Sequence, residues 1–261
     1  MSFRIAQLSD IHFGGENKAA TTAAIDFVRG GAIDLVVLAG DLTVQGRPHE
    51  FTAAKAWAEA LPAPKIVTPG NHDTPYGVDR LFKPFGRFER HFGESEGACW
   101  ASEEAFVLAV NTARGIQPRA NWSKGQISPA QIRYVCERVG RRKAGAAAIV
   151  ACHHPLMEMI GAPMSAQVWR GERAARVFAE AGVDLVLTGH VHAPFAMPFG
   201  FGDGKTYAVG SGTLSVRERG VPPSFNVIEG GTDTLTVSAM AWSGSHFETW
   251  RTWALPRRQQ G

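Results

Sequence analysis

The chain has 261 residues, of which 44% are hydrophobic and 20% charged, and its formal net charge is +3. This is an ordinary globular composition, and the length permits one large domain, or two small ones, with a core that needs no disulfide or structural metal for stability. The near-balanced charge excludes bulk attraction to a polyanion or membrane surface, and the basic clusters Arg141-Arg142-Lys143 and Arg257-Arg258 are too short to supply it locally.

In chain order, the first compact apolar run is Phe3–Leu8, followed by a helical pattern over residues 18–29. Next come a strand at Leu35–Ala39, a helix over 49–60 and a strand at Lys65–Thr68. Residues 98–102 and 106–110 predict two paired strands, 129–142 a helix, 148–151 a strand, 172–181 a helix and 184–188 a strand. Strands alternating with helices of this length imply βαβ units and a central, mostly parallel sheet. After Pro194 the character changes: residues 205–209, 224–228, Thr234–Trp242 and residues 246–253 are strand-like runs between Gly, Pro and Asp turns. They predict a second, largely antiparallel sheet packed on the first, with Trp242, Trp250 and Trp253 in its core. A single domain over 1–261 is expected, βαβ-rich over 1–193 and mostly β over 194–255.

Five of the apolar runs end in residues able to hold a metal. They lead into Asp10-Ile11-His12, Gly40-Asp41, Gly70-Asn71-His72-Asp73, His153-His154-Pro155 and Gly189-His190-Val191-His192. Taken singly, each is ordinary turn chemistry, although the two histidines of Gly-His-x-His face the same way on extended chain. Taken together, they are not. In open α/β sheets ligands bind beyond the carboxyl ends of strands, and six of the nine histidines fall in these five loops. Of these, Asp10, His12, Asp41, Asn71, His153, His190 and His192 give seven donors, too many for one ion that must also hold water and substrate. Two ions sharing one carboxylate fit, with Asp41 as the bridge. Imidazole and carboxylate without thiolate suit zinc, iron, manganese, cobalt or nickel and argue against calcium or magnesium alone. Two carboxylates do not neutralise two divalent ions, so the site attracts a phosphate oxyanion.

Cys99, Cys136 and Cys152 are widely spaced and form no C-x-x-C pair. That argues against a thiolate zinc site or disulfide framework and fits a reducing compartment. No segment reaches the ~18–20 apolar residues of a membrane helix. A strand-like run opening at Phe3 leaves no signal peptide, so a cytoplasmic location is expected.

The ordered blocks Asp10-x-His12, Gly40-Asp41, Gly70-Asn71-His72-Asp73, His153-x-Pro155 and Gly189-His190-x-His192 resemble the calcineurin-like metallophosphoesterase superfamily. The words Ser9-Asp10-Ile11-His12, Gly40-Asp41-Leu42-Thr43 and Gly125-x-Ile127-Ser128-x-x-Gln131-Ile132 resemble its class III cyclic nucleotide phosphodiesterase and glycerophosphodiesterase branch. The resemblance implies an α/β fold, a four-layer αββα sandwich of two mixed sheets flanked by helices. It implies that Asp10, His12 and His192 hold one ion, that Asn71, His153 and His190 hold the other, and that Asp41 bridges them, the pair being drawn from iron, manganese and zinc. His72 resembles the catalytic histidine that contacts the scissile phosphate, with Asn71 beside it. His154 then falls outside the ligands as a supporting residue, and Asp73 either orients His72 or caps a helix.

The non-periodic stretch 112–124 carries Arg114, Arg119, Asn121, Trp122 and Lys124. Arg114 and Arg119 are the candidates to clamp a substrate there. The expected activity is hydrolysis of small phosphodiesters, 3′,5′-cyclic nucleotides or glycerophosphodiesters, by a water whose pKa the ions lower. The rivals are a broad phosphoesterase that also takes monoesters, a nuclease, for which no extended basic groove or added nucleic-acid module is present, and a non-catalytic scaffold, which would have lost ligands that are all here. The expected partner is the small-molecule substrate, with further copies of the chain in a homo-oligomer, and neither nucleic acid nor membrane.

Overall fold

The computed structural model describes residues 2–118, 121, 123–158 and 168–258. The first half runs β1 Phe3–Leu8, α1 Lys18–Gly30, β2 Leu35–Ala39, α2 Pro48–Ala60 and β3 Lys65–Thr68, then two short helices, α3 Val78–Phe82 and α4 Gly86–Phe92. It continues with β4 Cys99–Ala101, β5 Ala105–Ala109, α5 Pro129–Gly140, β6 Ala147–Ala151, α6 Gly171–Glu180 and β7 Leu185–Thr188. The last part is all strand: β8 Phe195–Pro198, β9 Tyr207–Gly210, β10 Ser224–Gly230, β11 Thr234–Trp242 and β12 Phe247–Pro256. Local chemistry sets the helix starts. Asn17 accepts the Ala20 N–H ahead of α1, and Ser128 with Gln131 forms a reciprocal capping box ahead of Pro129 at the start of α5.

Two six-stranded mixed sheets result, ordered β12-β11-β10-β1-β2-β3 and β4-β5-β6-β7-β9-β8. Side chains alternate across each strand, so successive residues enter different layers. Ile5, Leu35 and Val37 meet Val107, Ile149, Leu185 and Leu187 between the sheets. Their neighbours Ala6, Leu8, Val36 and Leu38 pack on Ala20, Ala24 and Val28 of α1 and Phe51 and Trp57 of α2. On the far side Leu108, Val150 and Val186 pack on Val135 of α5 and Phe178 of α6. Three apolar seams thus join four layers, α-β-β-α.

The C-terminal strands correct one expectation. They form no sheet of their own: β10 pairs antiparallel with β1, extending the first sheet through β11 and β12, while β9 pairs parallel with β7 and carries β8. Trp250 is 46% exposed and lies outside the core, whereas Trp242 and Trp253 pack partly buried against it. Neither short helix nor β8 stood out in the sequence, since all three are too short to show a period. Among the described residues no helix is long and apolar enough to cross a membrane.

Candidate metal centre

The ends of β1, β2 and β3 in one sheet, and of β6 and β7 in the other, deliver the five polar loops to one crevice. The turn out of each strand is sharp. Asp10, His12, Asp41, His190 and His192 have φ between +50° and +70°, five of the seven non-glycine residues with positive φ among those described. Such left-handed backbone is costly for these residue types and persists where the surroundings hold it. Here loop-to-loop bonds hold it: Asp10 N–H donates to Gly40 O at 3.0 Å, His12 N–H to Asp41 O at 3.0 Å, and Gly189 N–H to His153 O at 2.9 Å. His72 N–H donates to Asp41 Oδ1 and His190 N–H to Asp10 Oδ2, each at 2.8 Å. The crossing is tight enough to require glycine twice. A Cβ on Gly70 would strike the Asp41 carboxylate and amide, and one on Gly189 would strike Ser9 Oγ and Asp10 Oδ2.

Backbone carbonyls then aim the rings. His12 Nδ1 is 3.2 Å from Thr43 O, His153 Nδ1 2.8 Å from Ala39 O, and His192 Nδ1 2.8 Å from Arg217 O. Each Nδ1–H donates, which turns Nε2 inward, the arrangement of metal-ligating histidines. His12 Nε2 and His192 Nε2 stand 3.3 Å apart, and His192 Nε2 is 3.1 Å from Asp10 Oδ1. Asp41 lies between two groups, its Oδ2 3.3 Å from His153 Nε2 and 3.9 Å from His12 Nε2. Asn71 Oδ1 and His190 Nε2 are buried without a hydrogen-bond partner, while Asp10 Oδ1 and His153 Nε2 face His192 and Asp41.

Burial and charge pull these groups apart. Burial drives His12 down to about 4 and His190 down to about 3, keeping both neutral. Burial alone would also depress His153, but the Asp41 carboxylate outweighs it and pushes that ring up to about 9. His192 is raised in the same way, by Asp10 against burial. Asp10 and Asp41 both stay below the usual carboxylate range, the nearby histidines overcoming the upward effect of burial. Lone pairs facing carboxylate oxygens at these distances repel unless a proton or cation lies between, so the donor set fits divalent metal. Asp10, His12 and His192 form one group of donors within reach of an ion, and Asp10, Asp41 and His153 form another.

The other candidates divide. His72 lies beside His12, ring centroids 4.9 Å apart and nearly perpendicular, and its Nδ1 donates to Val44 O at 2.7 Å. His154 is close enough to His153 and His190 to share an ion with them. Its two nitrogens are engaged elsewhere, Nε2 donating to Ser123 O at 2.8 Å and Nδ1 accepting from Thr112 Oγ1 at 2.9 Å. Asp73 accepts from Gly70 N, Leu42 N, Thr43 N and Thr43 Oγ1, tying the Asp41 loop to the Asn71 loop. It caps none of the described helices, the nearest of which starts at Val78. Arg114, one of the two clamp candidates, is half-buried: its guanidinium donates to Asn111 O, Ala113 O and Gln131 Oε1, with Glu96 as its counter-charge. Arg119 and Trp122 lie outside the described residues. Sequence reasoning missed the carbonyls of Ala39, Thr43, Val44 and Arg217, since any residue type can supply one.

Residues 3–194 match the calcineurin-like phosphoesterase family, and the chain belongs to it. It is a metal-dependent phosphoester hydrolase. It is 28% identical over 206 residues, 75% of each chain, to a probable cyclic nucleotide phosphodiesterase of Synechococcus sp.. Over 58 residues, 22% of this chain and 21% of the other, it is 36% identical to the probable glycerophosphodiester phosphodiesterase GpdQ of Arcobacter nitrofigilis. The structure of PhoD superposes with a TM-score of 0.76 at 13% identity, covering 100% of this chain and 70% of that one, a likeness of fold.

Proposed function

We propose that this chain hydrolyses small phosphodiesters, with 3′,5′-cyclic nucleotides and glycerophosphodiesters as the substrate classes, at a centre of two ions drawn from iron, manganese and zinc. The reading rests on the donors gathered at the strand ends: Asn71 Oδ1 and His190 Nε2 are buried without a partner, beside the groups Asp10, His12, His192 and Asp10, Asp41, His153, whose ligand atoms lie within reach of one ion. Asp10, His12 and His192 would hold one ion, Asn71, His153 and His190 the other, and Asp41 both. When bound, such ions lower the pKa of water and draw charge from the phosphoryl oxygens.

The chain's own groups do the rest. His72, held by the Val44 carbonyl through Nδ1–H, would act as the imidazolium, giving its Nε2 proton to the leaving oxygen or steadying phosphoryl charge and ending as the neutral ring. His154 and Asp73 keep the loops in register. Diester preference is supported by the relative described as a cyclic nucleotide phosphodiesterase. A cytoplasmic location belongs to the same reading and accords with three free cysteines.

The test is metal-reconstituted protein assayed on bis(p-nitrophenyl) phosphate, p-nitrophenyl phosphate, cyclic AMP and a glycerophosphodiester. Diesters should show the higher kcat/KM. A monoester preference of tenfold, about 1.4 kcal/mol in transition-state binding, would reverse the assignment.

A further inference from the structure

The loop that holds His72 also walls a cavity. Val44 accepts the His72 ring, while Gln45 and Arg47, with Tyr76 and Arg87, line a space of about 400 Å³. Its walls are fixed. Buried Glu50 accepts from Gln45 N at 2.9 Å and from Arg47 N at 3.0 Å. Gly46 is pressed against the Tyr76 loop so closely that a Cβ there would stand 2.8 Å from Thr74 O. Arg87 Nη1 donates to Gly46 O at 2.8 Å and Nη2 pairs with Asp79 Oδ2 at 3.0 Å. Arg47, by contrast, has no carboxylate partner among the described residues, and Tyr76, four positions beyond His72, is 57% exposed.

We propose that this cavity receives the alcohol side of the diester and takes a planar, hydrogen-bonding group of nucleoside size. The inference rests on the phosphodiesterase reading above and narrows its substrate class. Small-molecule sites run from about 300 to 1,000 Å³, so this space exceeds what a three-carbon glycerol fills. Tyr76 supplies a stacking face, the Arg47 guanidinium a planar cation suited to an electron-rich ring, and Gln45 one donor and one acceptor for a base edge. Asp79 pairs with Arg87, and the Glu50 carboxylate holds the Arg47 amide, so the wall carries no surplus of positive charge for a second phosphate dianion. Glycerol presents no π-face to any of these groups.

Adenosine, which carries no phosphate, separates this cavity from the metal centre. Calorimetry should show adenosine binding to the metal-loaded protein and also after chelation of the metals. Tyr76→Ala and Arg47→Met should each weaken that binding, the loss of a stacking partner amounting to roughly 5- to 150-fold. In the same variants the ratio of kcat/KM for cyclic AMP to that for glycerophosphoethanolamine should fall, mainly through KM, while Tyr76→Phe restores it. Both side chains are exposed, so neither substitution opens the core. Absence of adenosine binding to the unaltered protein, or an unchanged substrate ratio in Tyr76→Ala, would overturn the proposal. Failure to cleave any diester would instead sink the functional reading, and adenosine binding would still report on the cavity.

Discussion

Loading the centre with metal should expel a proton from His153. Burial would depress this ring, but Asp41 Oδ2 at 3.3 Å, with Asp10 behind it, pushes its pKa up to about 9. At pH 7 the metal-free protein therefore holds His153 as imidazolium, about 99% protonated across a gap of two units. A metal-binding nitrogen must be unprotonated, so binding releases about one proton from this residue, and the raised His192 adds to it. The same shift acts on stability. The folded value lies above the ordinary one near 6.5, so the stabilisation is fully present below pH 6.5 and is lost as pH rises through about 9. A gap of about 2.5 units corresponds to roughly 3 kcal/mol, undiminished by solvent because the ring is buried. For a chain of this length that is about 6–12 °C in Tm. Calorimetric titration with Mn²⁺ or Zn²⁺ in two buffers of different ionisation enthalpy counts the protons, and thermal melts between pH 6.5 and 9.5 follow stability. Proton release as large at pH 9.5 as at pH 7, together with a flat metal-free Tm, would refute the account. So would a His153→Ala variant that released as many protons as the parent.

Asp41→Ala should lower both metal occupancies, because both ions lose the carboxylate placed between the two donor groups. Metal analysis finding two tightly held ions in that variant would remove the bridge. His72→Ala should keep its metals and lose roughly 10²-fold or more in kcat on alkyl esters, with a smaller deficit on p-nitrophenyl esters, whose leaving group needs little protonation. Loss of metal from His72→Ala would make the residue a ligand. An equal deficit on both ester classes would favour charge stabilisation over proton donation.

How much of this was legible in the sequence depends on how local each determinant is. β1, β2 and β3 could be read to the residue because their apolar runs stop at Ser9, Gly40 and Pro69, where chemistry and turn signals coincide. The partners of the C-terminal strands could not. The run Ser224–Ile228 reads as a strand, but nothing in it says that Phe3 will face Gly230 from the other end of the chain. Pairing at that separation is decided by the whole packed sheet, and a period of two carries no partner's name.

The site divides along the same line. Asp10, His12, Asp41, Asn71, His153, His190 and His192 were visible because each stands out against the apolar strand before it. What turns those residues into a cluster was hidden: the carbonyls of Ala39, Thr43 and Arg217 that aim three rings come from positions whose side chains are irrelevant to the task. Arg114 shows the same limit from the other side. A cation in a stretch without period reads as free and exposed, yet Glu96, which supplies its counter-charge, and Gln131, which accepts its hydrogen bond, lie on other segments and draw it inward as a brace. The Gln45–Arg47 loop was passed over because its cations are few and its polar residues ordinary. Only the close approach of Gly46 to Thr74 brings it against Tyr76, and that contact turns a helix approach into a wall beside His72. Residue type announces a metal ligand, whereas the identity of a substrate contact is set by which loops touch.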